Sequence, residues 1–415
     1  MTGEATRARL HALLAEACEL EHALCCSYLF AAFSMRRDLA EGLDWRRQQV
    51  ARKWASQIYH VAAQEMLHLA QAWNLLTATG GGAYYDRPNF PQPARNFPLN
   101  VALTLRRFDV ATLDRFMIYE NPGEVVLDES VGASGLLWPL DEKYAYDHVG
   151  ELYGEIGRII AEADPAVLFV DDVSGQRGQH LVDFYDIIAV TDQASAAAAI
   201  HGIVTQGEGS SGNRADSHFG VFSAIRNVIG GDGFDYALPV GDNPLIATSA
   251  LAPSTLASTR LSDAGIRVTM LTDPVAVHAV DLFNDVYQLM LQALAFLFVS
   301  RTDEAAHLKR VSRCAIELMI TVIKPMGEAI CRLPSGLDGA NAGPSFELRR
   351  HVALPTQAAA AIAVIANRLA QLAEHGALLL AQDGIAVGPR HQITGAVANL
   401  RRIQRELVPD QPAQG

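Results

Sequence analysis

The sequence predicts a nearly all-α protein with two layers of helices. Apolar residues recur at helical spacing over residues 6–35 and again over about 45–77, where a run of three glycines ends the second helix. The segment 274–300 is strongly apolar and is predicted to form a further helix. These three segments carry the prediction of a helical fold.

The remaining elements follow in chain order. Residues 80–146 are predicted to be a mostly irregular insertion with one short helix at about 111–119, and so long an insertion in a compact domain is usually functional. Thr191-Asp192 and Ser217-His218-Phe219 have the polar residues typical of helix starts. Further helices are predicted at about 147–163, 195–205, 303–333, 355–381 and 392–408, and a short strand at Val167 to Val170.

Composition restricts the classes of function. The chain has 415 residues, of which 50% are hydrophobic and 19% charged, so it can bury a substantial core. A net charge of −13 and the lack of any run of four lysines or arginines argue against nucleic acid and against a membrane surface as partners. No apolar leader is evident, and the most apolar stretch, Val286 to Val299, is too short to span a bilayer. A cytoplasmic protein is therefore expected.

The five cysteines do not indicate a cysteine-based site. Their number is odd and no Cys-x-x-Cys spacing occurs, so neither a disulfide framework nor a zinc knuckle is predicted. We expect them to act as small apolar side chains.

A glutamate is followed by a histidine three residues later at three places, which are Glu19/His22, Glu65/His68 and Glu304/His307. Residues at i and i+3 share one face of a helix. Glu304 follows a helix-start signal and is expected in an exposed first turn. Glu65 and His68 lie in the middle of an apolar helix, where both groups are costly unless something pairs with them. A divalent metal ion is one such partner, and an ordinary satisfied core pair is the alternative.

A dimetal carboxylate site in a four-helix bundle needs one glutamate from each of two helices and a Glu-x-x-His from each of the other two. On the first helix, Glu21 lies beside the buried stripe that contains Leu20 and Leu24. Glu16 and Glu19 fall further toward solvent. Glu21 is therefore the preferred ligand from this helix.

The third and fourth helices leave more choice. Glu151 and Glu155 are i,i+4 neighbours, and periodicity alone does not choose between them. Glu208 has no histidine at i+3, and the glycines on both sides of it suggest that the helix breaks there, which is more typical of a turn residue. His218 could return to the site after this loop.

Taken together, these segments resemble the bacterial ferritin-like family that includes the ferritin-like domain of the iminophenyl-pyruvate dimer synthase of violacein biosynthesis. The resemblance covers about residues 6–230 and continues more loosely through the C-terminal helices. This family usually has prolines just before Tyr28, where this chain has Cys25-Cys26-Ser27. The motifs that carry the resemblance are Gln64-Glu65-Met66-Leu67-His68-Leu69, Val190-Thr191-Asp192, Gln206-Gly207-Glu208-Gly209 and Ser217-His218-Phe219.

The resemblance implies an all-α fold in which a ferritin-like four-helix bundle with long insertions is followed by a second, C-terminal helical layer. The bundle is expected over 1–230, with the insertion at 80–146, and the C-terminal region over 231–415. The resemblance also implies a site for two divalent metal ions. Its ligands are expected to be Glu21, Glu65, His68, Glu151, Glu208 and His218.

Several further residues are placed by the same resemblance. The family pattern Gly-Glu-x-Tyr matches residues 150–153 and favours Glu151 over Glu155. Glu120 resembles another family position and is expected as a ligand or a supporting acid. His60 and Tyr28 are candidates to support the ligands through hydrogen bonds, with ordinary core packing as the alternative.

Ligation that is rich in carboxylates and poor in imidazoles suits iron, or else manganese, better than copper or zinc. Two such ions can activate dioxygen, so we expect an oxidase or oxygenase that acts on a small organic molecule. The resemblance suggests the oxidative coupling of an imine derived from an aromatic amino acid. The alternatives are a non-catalytic metal-binding or iron-handling protein and a helical partner-binding protein with a decayed site. A homo-oligomer is compatible with the sequence.

Overall fold

The computed structural model describes residues 3–92, 102–123, 148–182, 184–207, 215–246, 266–300, 305–350 and 352–408. These residues confirm a nearly all-α fold. Within these ranges, the α-helices before the strands are α1 (Gly3–Ser34), α2 (Trp45–Ala78), α3 (Val110–Tyr119), α4 (Val149–Glu162), α5 (Pro165–Leu168), α6 (Gln193–Gly207) and α7 (His218–Asp232). A short parallel pair, β1 (Pro244–Ile246) and β2 (Thr269–Leu271), precedes α8 (Pro274–Val299), α9 (Ala305–Leu318), α10 (Lys324–Ile330), α11 (Ala358–Leu380) and α12 (Val387–Leu407).

Helices α1 and α2 are the longest helices of the bundle and pack along each other. Asp44 begins α2, because its side chain accepts a hydrogen bond from the backbone N–H of Arg47 at 2.8 Å. The helix ends at Thr79, and Gly80 follows with a φ of 88°, a left-handed conformation that favours glycine. Nearly every residue in the second half of each helix is buried, so these halves are enclosed on all sides.

The other half of the bundle is formed by the shorter helices α3, α4, α6 and α7. Helix α4 packs on α1 and α6, both α6 and α7 pack on α2, and α3 packs on α7. Helix α3 ends at Tyr119 with Glu120 as its C-cap, and α7 begins at His218 with Ser217 as its N-cap, as predicted. Nδ1 of His218 approaches both Glu120 and Glu65, so these helix ends meet beside the middle of α2.

The predicted strand at Val167 to Val170 is wrong. The chain forms the single helical turn α5 there, because Pro165 presets a helical φ and Asp164 accepts a hydrogen bond from the backbone N–H of Ala166 at 3.0 Å. The strands β1 and β2 lie instead between α7 and α8, where no strand was predicted. They are three residues each, too short for a recognisable alternation.

The helix predicted at 303–333 is interrupted. It consists of α9, the π-helical turn Met319–Ile323 and α10. Pro325 explains the break, because proline lacks the N–H that an α-helix would pair with the carbonyl of Thr321. That carbonyl accepts a hydrogen bond from the side-chain amide of Asn399 in α12 at 3.2 Å instead.

Helix α8 is the central helix of the C-terminal layer and packs on α2, α9 and α11. Asp273 caps it by accepting hydrogen bonds from the first backbone N–H groups. Among the described residues it is the one helix long and apolar enough to cross a membrane, and 78% of its most apolar 18-residue stretch is buried inside the protein. Such burial is also typical of a core helix.

A buried ion pair joins the C-terminal layer to the bundle. Glu328 of α10 accepts hydrogen bonds from the guanidinium of Arg37 and, at 2.7 Å, from the hydroxyl of Tyr59. Apolar residues of both regions form one continuous core. The domain boundary near residue 230 stays a prediction.

Candidate metal centre

Glu65 occupies the centre of a buried group of carboxylates and imidazoles. It lies in the middle of α2 and is 1% exposed. Its Oε1 is 2.7 Å from Nδ1 of His218, and its Oε2 is 3.4 Å from Nδ1 of His68. Among the described residues neither oxygen has a partner in hydrogen-bond geometry. The carboxylate therefore faces one imidazole with each oxygen.

The first half of the centre comes from the two long helices. Oε2 of Glu21, in α1, lies 3.5 Å from Nδ1 of His68, in α2. The other oxygen of Glu21 accepts a hydrogen bond from the hydroxyl of Tyr153 at 2.6 Å. Nε2 of His68 donates to the side-chain oxygen of Gln206 at 2.9 Å. We call Glu21 and His68 the α1–α2 pair.

The second half repeats this arrangement with residues from shorter elements. Oε2 of Glu120 lies 3.5 Å from Nδ1 of His218. The other oxygen of Glu120 accepts a hydrogen bond from the hydroxyl of Tyr28. Nε2 of His218 donates to the side-chain oxygen of Gln64 at 3.2 Å. We call Glu120 and His218 the α3–α7 pair.

The two glutamines set the direction of both imidazoles. A side-chain amide oxygen only accepts, so Nε2 carries a hydrogen in each ring and Nδ1 faces the carboxylates. The rings of His68 and His218 are 5.5 Å apart and inclined by 26°. Outer hydrogen bonds of this kind orient the histidines of metal sites.

These groups fit a pair of metal ions. Ligand atoms of Glu21, Glu65 and His68 all lie within 4.8 Å of one another, and so do those of Glu65, Glu120 and His218. The 2.7 Å approach between Glu65 and Nδ1 of His218 does not have hydrogen-bond geometry, and Nδ1 of His218 is buried without a hydrogen-bond partner. Such convergence of buried oxygen and nitrogen atoms is costly unless a cation compensates it.

The buried carboxylates and imidazoles of the centre shift one another's pKa values. Burial and the neighbouring charge of Glu65 raise the pKa of Glu21 to about 7. Burial alone would lower the pKa of His218, but Glu65 and Glu120 outweigh it and raise that pKa to about 9. The pKa of His68 is raised well above its ordinary value because Glu21 and Glu65 outweigh burial in the same way. Among the protein's own groups, positive charge is therefore favoured between the carboxylates.

The structure brings together Glu21, Glu65, His68 and His218, and Glu120 joins them. It does not bring Glu151 to this cluster. The side chain of Glu151 is 43% exposed and lies 3.5 Å from Nε2 of His148, because the buried face of α4 is formed by residues such as Tyr153. Glu155, the alternative on the same helix, does not lie in the cluster either, because it pairs with Arg9 and Arg158 at the surface. Glu208 lies outside the described residues.

The supporting residues were anticipated only in part. Tyr28 does support a glutamate, whereas His60 is exposed. Tyr153, Gln64 and Gln206 were given no role, although all three lie in segments that carried the resemblance. The Glu19/His22 pair is not a ligand pair, because His22 contacts the carbonyl of Tyr85 and the hydroxyl of Tyr287.

These features define a helical bundle protein with a buried centre of carboxylates and imidazoles. The Ferritin-like family model matches residues 14–227, more than half of the chain, and the chain belongs to this family. The matched range includes every described residue of the centre.

Two curated relatives match most of the chain. It is 26% identical over 397 residues to dichlorochromopyrrolate synthase of Lentzea aerocolonigenes, an alignment covering 89% of this chain and 39% of that protein. It is 25% identical over 371 residues to 2-imino-3-(indol-3-yl)propanoate dimerase of Chromobacterium violaceum, covering 82% of this chain and 34% of that protein. The chain thus spans little more than a third of either relative.

A solved ferritin-like protein from Caulobacter vibrioides is 19% identical, with a TM-score of 0.41 over 62% of this chain and 83% of its own.

Proposed function

We propose that the chain holds two divalent metal ions and uses them to oxidise a small organic substrate with dioxygen. Glu65 would bridge the ions, Glu21 and His68 would bind one, and Glu120 and His218 would bind the other. The observation that carries this proposal is Glu65, whose two buried oxygens each face a different imidazole. A bridging carboxylate is the central element of dimetal sites in four-helix bundles.

The donor set favours iron, with manganese as the alternative. Each proposed ion has carboxylate oxygens and a single imidazole nitrogen, a hard, oxygen-rich set. Three carboxylates leave one positive charge uncompensated on two divalent ions, so a further anion is expected. Glu208 stays a proposed ligand for this reason. It follows Gly207, where an added Cβ would lie 3.2 Å from Oε2 of Glu120.

The protein groups prepare this site in two ways. All five proposed ligands are at most 4% exposed, so bulk water is excluded from the centre. Tyr28 and Tyr153 hold the outer oxygens of Glu120 and Glu21, which leaves one oxygen of each free to bind metal. A bound pair of iron or manganese ions would supply the capacity to activate dioxygen.

We propose an imine of an aromatic 2-oxo acid as the substrate class, supported by the name of the Chromobacterium violaceum relative, 2-imino-3-(indol-3-yl)propanoate dimerase. In an oxidative coupling each of two substrate molecules loses one hydrogen atom, and a carbon–carbon bond forms between them. The two electrons and two protons pass to dioxygen, which becomes hydrogen peroxide. Because the chain spans little more than a third of either relative, this reaction is a proposal for the chain by itself.

The test combines metal analysis with product analysis. The substrate imine is formed in solution from indole-3-pyruvate and ammonia. We expect the wild type to contain two metal ions and to yield a coupled product two hydrogen masses lighter than two imines, together with hydrogen peroxide. Glu65→Gln should lose the metal and the product, whereas the matched control Glu151→Gln, at an exposed carboxylate, should keep both.

Other outcomes separate the alternatives. Two bound ions without dioxygen-dependent product would favour a non-catalytic metal-binding protein. Absence of metal from the wild type after exposure to iron and manganese would contradict the proposed site, and a partner-binding protein would then be the better interpretation.

A further inference from the structure

The two metal positions have equivalent donors but unequal support. Each has one terminal glutamate, one histidine through Nδ1, one tyrosine and one glutamine, and they share Glu65. Among the described residues, the donors therefore give no reason for the two positions to differ in affinity. A difference between these two sets of residues must then come from the elements that carry them.

Both residues of the α1–α2 pair lie in the interiors of long helices. Glu21 lies 13 residues before the last residue of the 32-residue α1, and His68 lies ten residues before the end of the 34-residue α2. Both helices are almost fully buried around these residues and pack along each other. Glu21, Glu65 and His68 are thus held near one another by helix interiors, without help from any helix end.

Both residues of the α3–α7 pair lie at helix ends. Glu120 is the C-cap of the ten-residue α3, and His218 is the first residue of the 15-residue α7. Helix termini open more easily than helix interiors, because their last backbone groups lack intrahelical partners. The aromatic contacts of Tyr28 with Phe116 and Phe222 connect the two helices to α1 but do not extend either end.

Helix dipoles do not reverse this difference. His218 lies at the positive end of α7, which disfavours a nearby cation, whereas Glu120 lies at the negative end of α3, which favours one. The two contributions oppose each other. Preorganisation of the ligands is the remaining difference between the positions.

We infer that the two ions bind in order. The first ion binds Glu21, Glu65 and His68, and the second binds Glu65, Glu120 and His218 at least tenfold more weakly. The second ion orders the C-terminal end of α3 and the first turn of α7. This inference rests on the proposed dimetal function and adds the sequence of loading to it.

The test is a titration of the metal-free 415-residue chain with Co²⁺, followed by calorimetry and by visible absorption. We expect two binding events whose dissociation constants differ by tenfold or more. His218→Ala should keep the tight event within about threefold, because the ligands of the first ion are untouched. His68→Ala should raise the dissociation constant of the tight event by tenfold or more. Glu151→Ala is the control and should behave as the wild type.

Hydrogen exchange of the wild type gives a readout that does not depend on how the variants fold. One equivalent of Co²⁺ should leave amide exchange in α3 and at the start of α7 unchanged, and the second equivalent should slow it. Two indistinguishable binding events, or a tight event lost in His218→Ala but kept in His68→Ala, would overturn the order while leaving the dimetal site intact. No binding of Co²⁺ by the wild type would overturn the proposed function itself.

Discussion

Tyr153 donates a hydrogen bond from its hydroxyl to Oε1 of Glu21 at 2.6 Å, and that glutamate turns its other oxygen toward His68. Tyr28 makes the corresponding bond to Glu120 across the centre. Burial, followed by the nearby carboxylate charge, raises the pKa of both tyrosines well above the ordinary value, so both hydroxyls stay protonated and can donate. Each tyrosine thereby orients a glutamate toward the position proposed for a metal ion.

Removing the hydroxyl of Tyr153 should weaken metal binding. Tyr153→Phe keeps the packing of the ring but leaves a buried oxygen of Glu21 without its donor. We expect a loss of about tenfold or more in affinity for the first ion, the usual cost of removing an outer hydrogen bond. Calorimetric titration with Co²⁺ measures this loss. Tyr185→Phe, at a side chain that is 84% exposed, is the control, and equal affinities in the two variants would contradict the role of Tyr153.

Gln206 is expected to act through the orientation of His68. Gln206→Ala removes the acceptor of the Nε2 hydrogen, so the ring is free to rotate or to change tautomer. Metal affinity should fall about tenfold, whereas the free energy of unfolding of the metal-free protein should change by less than about 1 kcal/mol. Gln49→Ala, on the exposed face of α2, should change neither. A large loss of stability without loss of affinity would indicate a merely structural role.

Gly207 offers a test confined to the second half of the centre. A Cβ at this position would lie 3.2 Å from Oε2 of Glu120, tight enough to displace that carboxylate. Gly207→Ala should therefore weaken binding of the second ion about tenfold or more, because a displaced Glu120 loses the outer hydrogen bond that orients it.

Gly202→Ala is the matched control for this variant, because Gly202 lies in the same helix with open space around its Cβ position. Gly202→Ala, in the helix interior, should favour the helix by up to about 1 kcal/mol. Urea unfolding of both metal-free variants shows whether reduced stability accounts for a loss of metal in Gly207→Ala. Full binding of both ions by Gly207→Ala would show that this close approach has no effect on the centre.

Glu328 should contribute stability that depends on pH. Burial by itself would raise its pKa, but the charges of Arg37 and Lys324 outweigh burial and hold the pKa below its ordinary value of 4.5. A pKa lowered on folding gives stabilisation that is present above the unfolded value and is lost as pH falls through the folded value. Glu328→Gln should therefore cost about 3 kcal/mol in unfolding free energy at pH 7, and the cost should shrink below about pH 4.5.

Urea unfolding of wild type and variant at a series of pH values measures this difference. Glu374→Gln, an exposed glutamate on α11, should show almost none. If the loss of unfolding free energy in Glu328→Gln stays constant from pH 7 to pH 3, the negative charge of Glu328 does not stabilise the contact between the C-terminal layer and the bundle.

The helices were predictable because their periodicity is local. Residues 45–77 of the sequence contain almost the whole of α2, and the Ser217 cap marks the start of α7. The π-turn before Pro325 and the three-residue strands were not predictable. Each depends on contacts with distant residues, such as Asn399, which local periodicity does not reveal.

The centre was predictable where one helix supplies two ligands. Glu65 and His68 share a face by spacing alone, and Glu21 lies beside a buried stripe. Periodicity offered Glu151 and Glu155 from α4, but Tyr153 faces the centre instead. Which side of α4 meets α1 is decided only in the packed structure. Glu120 could be anticipated only from resemblance, since it stands at a helix end whose position relative to α2 is set by the fold.

The most direct test of the dimetal centre is anomalous diffraction from crystals of the protein grown with Mn²⁺ or loaded with iron. Two anomalous peaks about 3.5–4 Å apart are predicted, one on each side of the Glu65 carboxylate. One should lie beside Glu21 and His68, and the other beside Glu120 and His218. Crystals with the metal at full occupancy elsewhere and no peak near Glu65 would contradict the centre.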